Sequence, residues 1–238
     1  MWTRKDLKNR AKDVLSNTYW MSFAACLLVS LIGGVVGAIS SNSTIMQGMV
    51  GDDFSATPGF AVAGFYILSL IFSFFLLYPL SVNLQKFFLN ATTGDTSLGA
   101  LGFTFKTNYS NVVKAGFKQV VFIFLWSLLL IIPGIVKSYQ YFLVEYLLAE
   151  NPGMDSTRAL QLSKAMMVGN KWRAFVLNLS FILWVILAMI PFGFGMLFLV
   201  PYVNATFTQF YLELKKNAIE RGLAEASEFW NPADIQGE

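Results

Sequence analysis

Two serine–lysine neighbours, Lys137-Ser138 and Ser163-Lys164, are the residues of this chain nearest to a hydrolytic pair. A serine becomes a nucleophile when a base lies within hydrogen-bond reach of its hydroxyl. Adjacent residues on a helix point about 100° apart, so neither pair is a ready dyad. The chain has no histidine, which removes the commonest proton-transfer residue and the commonest metal ligand together. The single cysteine, Cys26, lies in an apolar run, excludes an internal disulfide and reads as a small buried hydrophobe. No Gly-rich phosphate loop or Cys/His cluster occurs, and no acidic pair lies within one short catalytic motif. The expectation is a protein that is not an enzyme and has no metal and no cofactor.

Glu145 is the more informative residue. It sits in the apolar stretch 135–150, about 15 Å along a helix from Ile135. An ionisable group inside a bilayer is costly and points to function by default. Helical spacing puts Ser138, Tyr141 and Glu145 on one face. Lys137, Gln140, Asn178, Asn204 and Gln209, with Asn83, are the polar residues that could complete an intramembrane seam. Two readings stay open. The seam is inter-helix hydrogen bonding, worth about 0.6–2 kcal/mol per bond, or it is a pathway for a substrate or ion.

These residues must be positioned by membrane helices. Of 238 residues, 55% are hydrophobic and only 13% charged. A soluble domain carries about 25% charged residues. A helix needs about 20 mostly apolar residues to cross a bilayer. Runs of that kind predict spans at about 21–39, 60–84, 117–133, 135–150, 174–190 and 194–213. The pair Pro133-Gly134 splits the long apolar run 117–150. Residues 1–19 form an amphipathic helix capped by Thr3 and Asp6, with Leu7, Ala11, Val14 and Leu15 on its apolar stripe. Val36-Gly37-Ala38 has the small residues of a cleavage site, but the run is too long for a signal peptide and reads as uncleaved. Residues 40–59 form a polar outer loop, and Leu98–Phe105 is apolar enough to touch the membrane surface. A second amphipathic helix covers 156–168, with Asp155 or Ser156 as N-cap and Gly169 at its end. Pro191, Gly193 and Gly195 make an outer turn, and 214–238 is a polar tail.

Charge sets the orientation. With both termini in the cytoplasm, 16 of the 17 Lys and Arg residues lie on the cytoplasmic side, and only Lys137 lies outside. A five-span arrangement would export Arg158, Lys164, Lys171 and Arg173, so the positive-inside rule selects six. The net charge of +3 therefore reflects topology, and no nucleic-acid motif accompanies it. The basic 1–19 segment favours anionic membrane lipid as a partner.

The hairpins resemble one another. Leu125-Trp126 to Ile132-Pro133 parallels Leu183-Trp184 to Ile190-Pro191, with equal Trp-to-Pro spacing. Phe142-Leu143-Val144-Glu145-Tyr146 parallels Phe198-Leu199-Val200-Pro201-Tyr202, and Phe75–Pro79 is a weaker third copy. Glu145 thus stands where Pro79 and Pro201 stand. Transporter folds contain repeats of this kind, though duplication also occurs without transport. The fold expected is an all-α, polytopic transmembrane bundle of one domain, with about six spans as three pseudo-repeated hairpins plus interfacial amphipathic helices.

The stretch Ile132-Pro133-Gly134-Ile135-Val136-Lys137-Ser138-Tyr139, then Leu148-Ala149-Glu150-Asn151-Pro152, then Ala159-Leu160, Ser163, Met166-Met167, Gly169 and Lys171-Trp172 resembles a bacterial family of polytopic membrane proteins known as a domain of unknown function. It is distantly similar to the membrane domain attached to some glycerophosphodiester phosphodiesterases. The resemblance implies a bacterial cytoplasmic membrane location and a helical bundle, and implies no activity. Relatives are expected to carry proline at the Glu145 slot. The hydrolase chemistry of those phosphodiesterases resembles that of a separate soluble domain with metal-binding carboxylates and histidines, and this chain has neither the length nor the histidines for it. The function expected is a membrane scaffold, regulatory or protective factor that binds lipid, a membrane protein or its own copy. The alternative is a small transporter, or a lipid- or peptide-handling protein, working around Glu145.

Overall fold

A computed structural model of the chain describes residues 2–41, 59–190 and 193–229. Among these residues every regular element is helical and there is no strand. The helices are α1 (Arg4–Ser41), α2 (Gly59–Ala91), α3 (Phe103–Lys106), α4 (Tyr109–Leu129), α5 (Ile131–Gln140), α6 (Val144–Glu150), α7 (Ser156–Met166), α8 (Lys171–Met189) and α9 (Phe194–Glu220). Short 3₁₀ turns occupy Leu98–Gly102 and Ala226–Phe229. The expected outer loop over 42–58, and Pro191, lie outside the described residues.

Among the described residues, four stretches are long and apolar enough to cross a membrane: Arg4–Ala38, Ala63–Ala91, Tyr109–Leu129 and Lys171–Met189. The two other expected spans take different forms. The 135–150 stretch is not one helix, because α5 stops at Gln140 and α6 begins at Val144. α9 has 27 residues, but Asn204, Thr206, Thr208 and Gln209 interrupt its apolar run. The first helix also differs from expectation. The amphipathic segment and the first apolar run form one helix of 38 residues, about 57 Å long.

Local chemistry explains the breaks. Thr3 and Asp6 cap α1 reciprocally, Thr3 N–H donating to Asp6 Oδ2 at 3.1 Å and Asp6 N–H to Thr3 Oγ1 at 3.2 Å. α4 ends at Leu129, and Leu130 is extended at φ −162°. A proline ring clashes with the carbonyl four residues before it, so Pro133 cannot follow a helical Leu129 and sits in the first turn of α5 instead. Pro79 lies inside α2 and has no N–H to give Phe75. The Phe75 carbonyl it leaves free accepts from Tyr109 Oη at 2.8 Å. Asp155 is the N-cap of α7, accepting from the N–H groups of Thr157 and Arg158 at 2.8 and 3.0 Å. Those bonds, that from Arg158 foremost, hold its carboxyl below the usual range.

Adjacent helices pair as antiparallel hairpins. A Cβ on Gly33 of α1 would meet Leu77 of α2 at 3.9 Å. In the α4–α5 hairpin, Gly134 lies on Ser127, and Tyr141 beyond it packs on Phe122 at 6.2 Å between centroids. In the α8–α9 hairpin, Gly195 lies on Ala188 and Tyr202 on Phe181. Trp2 meets Phe210 at 5.2 Å and Arg10 pairs with Glu213 at 3.2 Å, so the two described chain ends lie together.

The packed core lies toward the end of the molecule that holds these chain ends. Phe210, Tyr211, Leu143, Leu147, Leu162 and Met167 are fully buried there. A smaller cluster joins Ala11 and Leu15 of α1 to Phe87 and Phe88 of α2. Ala100 of the 98–102 turn packs into that cluster, so this apolar piece is seated against protein. Asn83 of α2 holds the same segment, donating to Leu101 O and accepting from Thr104 N–H, both at 2.8 Å. Toward the hairpin tips the pattern reverses, and large apolar side chains are exposed, Ile131 by 78% and Leu183 by 76%. Exposed apolar area on this scale marks a membrane or protein contact.

Candidate functional site

The expected seam does not assemble as one site. α5 and α6 are separate, so Ser138, Tyr141 and Glu145 do not share a continuous helix face. Glu145, in the first turn of α6, lies beside Ser81 and Gln85 of α2, the Ser81 hydroxyl donating to Tyr78 O of its own helix at 2.8 Å. Gln85 is itself buried, and its Oε1 has no partner among the described residues. Ser138 Oγ donates to Ile135 O of its own helix at 2.7 Å. Asn204 donates to Val200 O of α9 at 3.0 Å. Asn178 reaches across helices, donating to Tyr139 Oη at 3.3 Å. Gln209 is buried in α9.

Lys137 and Tyr141 do come together. The Lys137 ammonium stands 4.5 Å above the Trp126 ring and 5.9 Å from that of Tyr141. Aromatic faces attract a cation in this way most strongly where water is excluded.

The gap between α5 and α6 is closed by Ser163 of α7. Its Oγ donates to Gln140 O at 2.8 Å and accepts from Leu143 N–H at 3.2 Å. Residues 141–143 thus leave the helix without stranding either backbone group. Gln140 is buried, and its side-chain Oε1 has no partner. Glu150, at the end of α6, accepts from Tyr211 Oη at 2.7 Å and from Lys215 Nζ at 2.7 and 2.8 Å. Arg158 grips Glu228 through Nε at 2.8 Å and Nη2 at 2.9 Å, pinning the 226–229 turn. The hydrogen bond from Arg158 holds the Glu228 carboxyl below the usual range.

A large open groove lies elsewhere. α1 and α8 both pack on α9, and the space between them is a groove of about 1310 Å³. Pockets for drug-sized ligands are about 300–1,000 Å³. One wall is the N-terminal half of α1, with Arg4, Lys5, Lys8 and Lys12. The other is apolar, with Trp184 and Leu187 of α8 and Phe198 and Leu199 of α9. Lys8 Nζ reaches over the Phe181 ring at 4.3 Å, bridging the two walls. No carboxylate lines the groove, and Arg4, Lys8 and Lys12 make no ion pair among the described residues. None of the nine residues expected to form the seam lines it. The signal was present in the sequence, since Arg4, Lys8 and Lys12 recur every four residues and so share a helix face. The opposite wall required the tertiary fold.

Among the described residues no group of His, Cys, Asp and Glu is placed to hold a metal ion. Neither a curated protein nor a solved structure matches this chain. Residues 56–218, which include α2 with Pro79, the α4–α5 hairpin and most of the α8–α9 hairpin, match the family described as Protein of unknown function (DUF975), and the chain belongs to that family.

Proposed function

We propose that this protein is a non-enzymatic, multi-pass protein of the bacterial cytoplasmic membrane. It acts as a scaffold, regulatory or protective factor by binding lipid or another membrane protein. The observation that carries this reading is the position of the open groove. It lies between α1 and α8, lined by apolar and basic side chains with Thr3, Asn9, Ser16 and Ser180 among them, and by none of Glu145, Lys137, Ser138, Tyr141, Gln140, Asn178, Asn204 and Gln209. A binding protein needs an opening onto the surrounding lipid, whereas a transporter needs polar residues that converge on a path.

Six crossings with both termini in the cytoplasm fit this reading. Three hairpins bring the described chain ends together, as an even number of crossings requires, and the positive-inside count supports that orientation. α5 and α6 together serve as the fourth crossing, broken where Ser163 patches the backbone. Irregular backbone at membrane depth is tolerated when protein covers it. The matching Trp-to-Pro spacings of the last two hairpins are consistent with duplication.

The alternative is a small transporter with Glu145 in its path. The scatter of the seam residues among separate partners gives it less support.

The test is reconstitution of the purified protein into liposomes and lipid nanodiscs. Native mass spectrometry is expected to show lipid that survives detergent exchange, and flux assays to show no proton or sodium movement above empty vesicles. A flux abolished by Glu145→Gln would replace this reading with the transporter.

A further inference from the structure

We propose that the groove between α1 and α8 is a binding site for one anionic phospholipid, its phosphate held by Arg4, Lys8 and Lys12 and an acyl chain laid along Trp184, Leu187 and Phe198. The inference rests on the lipid-binding reading above and adds the headgroup class and its residues.

The groove is itself amphiphilic. Its cations come from a single helix at spacings of four residues, so they project as one row. Among the described residues, no carboxylate neutralises Arg4, Lys8 or Lys12. A row of uncompensated cations beside apolar surface repels a cation, is indifferent to a neutral solute and suits a phosphodiester on a hydrocarbon tail. Phosphatidylcholine carries its own ammonium and gains less from the row. The apolar wall explains why the ligand is a lipid rather than a soluble phosphate. Trp184, Leu187, Phe198 and Leu199 offer it no charge, only hydrocarbon and the Trp184 indole N–H. α8 and α9 meet toward the hairpin tip, where a Cβ on Gly195 would stand 2.7 Å from the Ala188 Cα, and both residues line the groove. Lys8 lies at the junction of the two chemistries, its ammonium over the buried Phe181 ring. A phosphate there would keep the cation–π contact and supply the missing anion.

The experiment uses the full-length protein in nanodiscs of equal parts phosphatidylglycerol and phosphatidylcholine, with lipid that stays bound after detergent exchange counted by native mass spectrometry. The expected result is retained lipid enriched in phosphatidylglycerol. Lys8→Gln and Lys12→Gln should each lower the enrichment roughly fivefold, the equivalent of ~1 kcal/mol per surface cation. Ser180→Phe, which fills the groove without touching the cations, should lower retention of both lipids. A control pair, Lys114→Gln and Lys216→Gln, removes the same charge away from the groove and should leave the enrichment unchanged. Equal retention of the two lipids would overturn the anionic site and leave lipid binding standing. An equal loss in the control pair would assign the preference to overall charge and overturn the site. No retained lipid in the wild-type protein would overturn both readings.

Discussion

Ser163 Oγ lies 2.8 Å from the carbonyl oxygen of Gln140 and donates to it, while accepting from Leu143 N–H at 3.2 Å. One hydroxyl therefore serves both sides of the break between α5 and α6. Ser163→Ala strands a buried carbonyl and a buried amide. Each unsatisfied group costs about 1–3 kcal/mol. The variant should unfold at lower temperature in detergent, with Ser163→Thr recovering part of the loss. A melting temperature equal to wild type would show that the break is held by other contacts.

The α4–α5 hairpin depends on the missing side chain at Gly134. A Cβ there would collide with Ser127 Oγ and stand 2.9 Å from the Ser127 Cα. The serine hydroxyl is committed to Ile123 O at 2.8 Å. Overpacking of this kind costs about 1–3 kcal/mol, so Gly134→Ala is expected to be destabilising in thermal unfolding. Adding Ser127→Gly should restore part of the loss, because it removes the clashing atoms. Additive losses in the double variant would count against direct contact.

Acid should release the tail. Arg158 lowers the pKa of Glu228 in the folded state, chiefly through its hydrogen bonds to the carboxylate. A depressed carboxyl pKa contributes stability above the unfolded value of 4.5 and loses it as pH falls through the folded one. The 226–229 turn should therefore stay docked at neutral pH and detach only below about 4.5. A fluorophore on a cysteine replacing Ser227, in a Cys26→Ala background, reports the change as a fall in anisotropy. Glu228→Gln should give the low anisotropy at pH 7. A release midpoint above pH 6 would show that another group controls the tail.

Glu145 is expected to act as a hydrogen-bonding residue between α6 and α2. Glu145→Gln keeps partners for Ser81 and Gln85 and should alter the unfolding free energy by less than ~1 kcal/mol. Glu145→Ala removes them and should cost about 1–3 kcal/mol. If the glutamine variant were as damaging as alanine, the charge rather than the hydrogen bonds would be the property that matters.

How much of this was legible in the sequence differs from element to element. Pro133-Gly134 marked a turn, but the chain leaves the helix at Leu130, because proline forbids a helical carbonyl four residues earlier and is at home in a first turn. The second break, at 141–143, was not legible. Tyr141-Phe142-Leu143 contains no glycine or proline, and the backbone is drawn off by Ser163, twenty-three residues beyond Gln140. The same break explains why Ser138, Tyr141 and Glu145 fail to align, since helical spacing holds only along an unbroken helix. The cationic face of α1 was legible from its four-residue spacing. Its pairing with the apolar face of α8 was not, because that depends on α9 packing between them.

α1 has one further consequence. It runs unbroken from Arg4 to Ser41, so the cationic row of the groove and the apolar stretch beyond it belong to a single lever. A bilayer of different thickness is met by tilting such a helix, and a tilt imposed at the apolar end reaches Arg4, Lys8 and Lys12 undiminished. α9 is tied to that lever by the Arg10–Glu213 pair and the Trp2–Phe210 contact, and α8 meets α9 at Gly195. A change of membrane thickness would thereby be felt at the groove, a mechanical input delivered to an electrostatic surface.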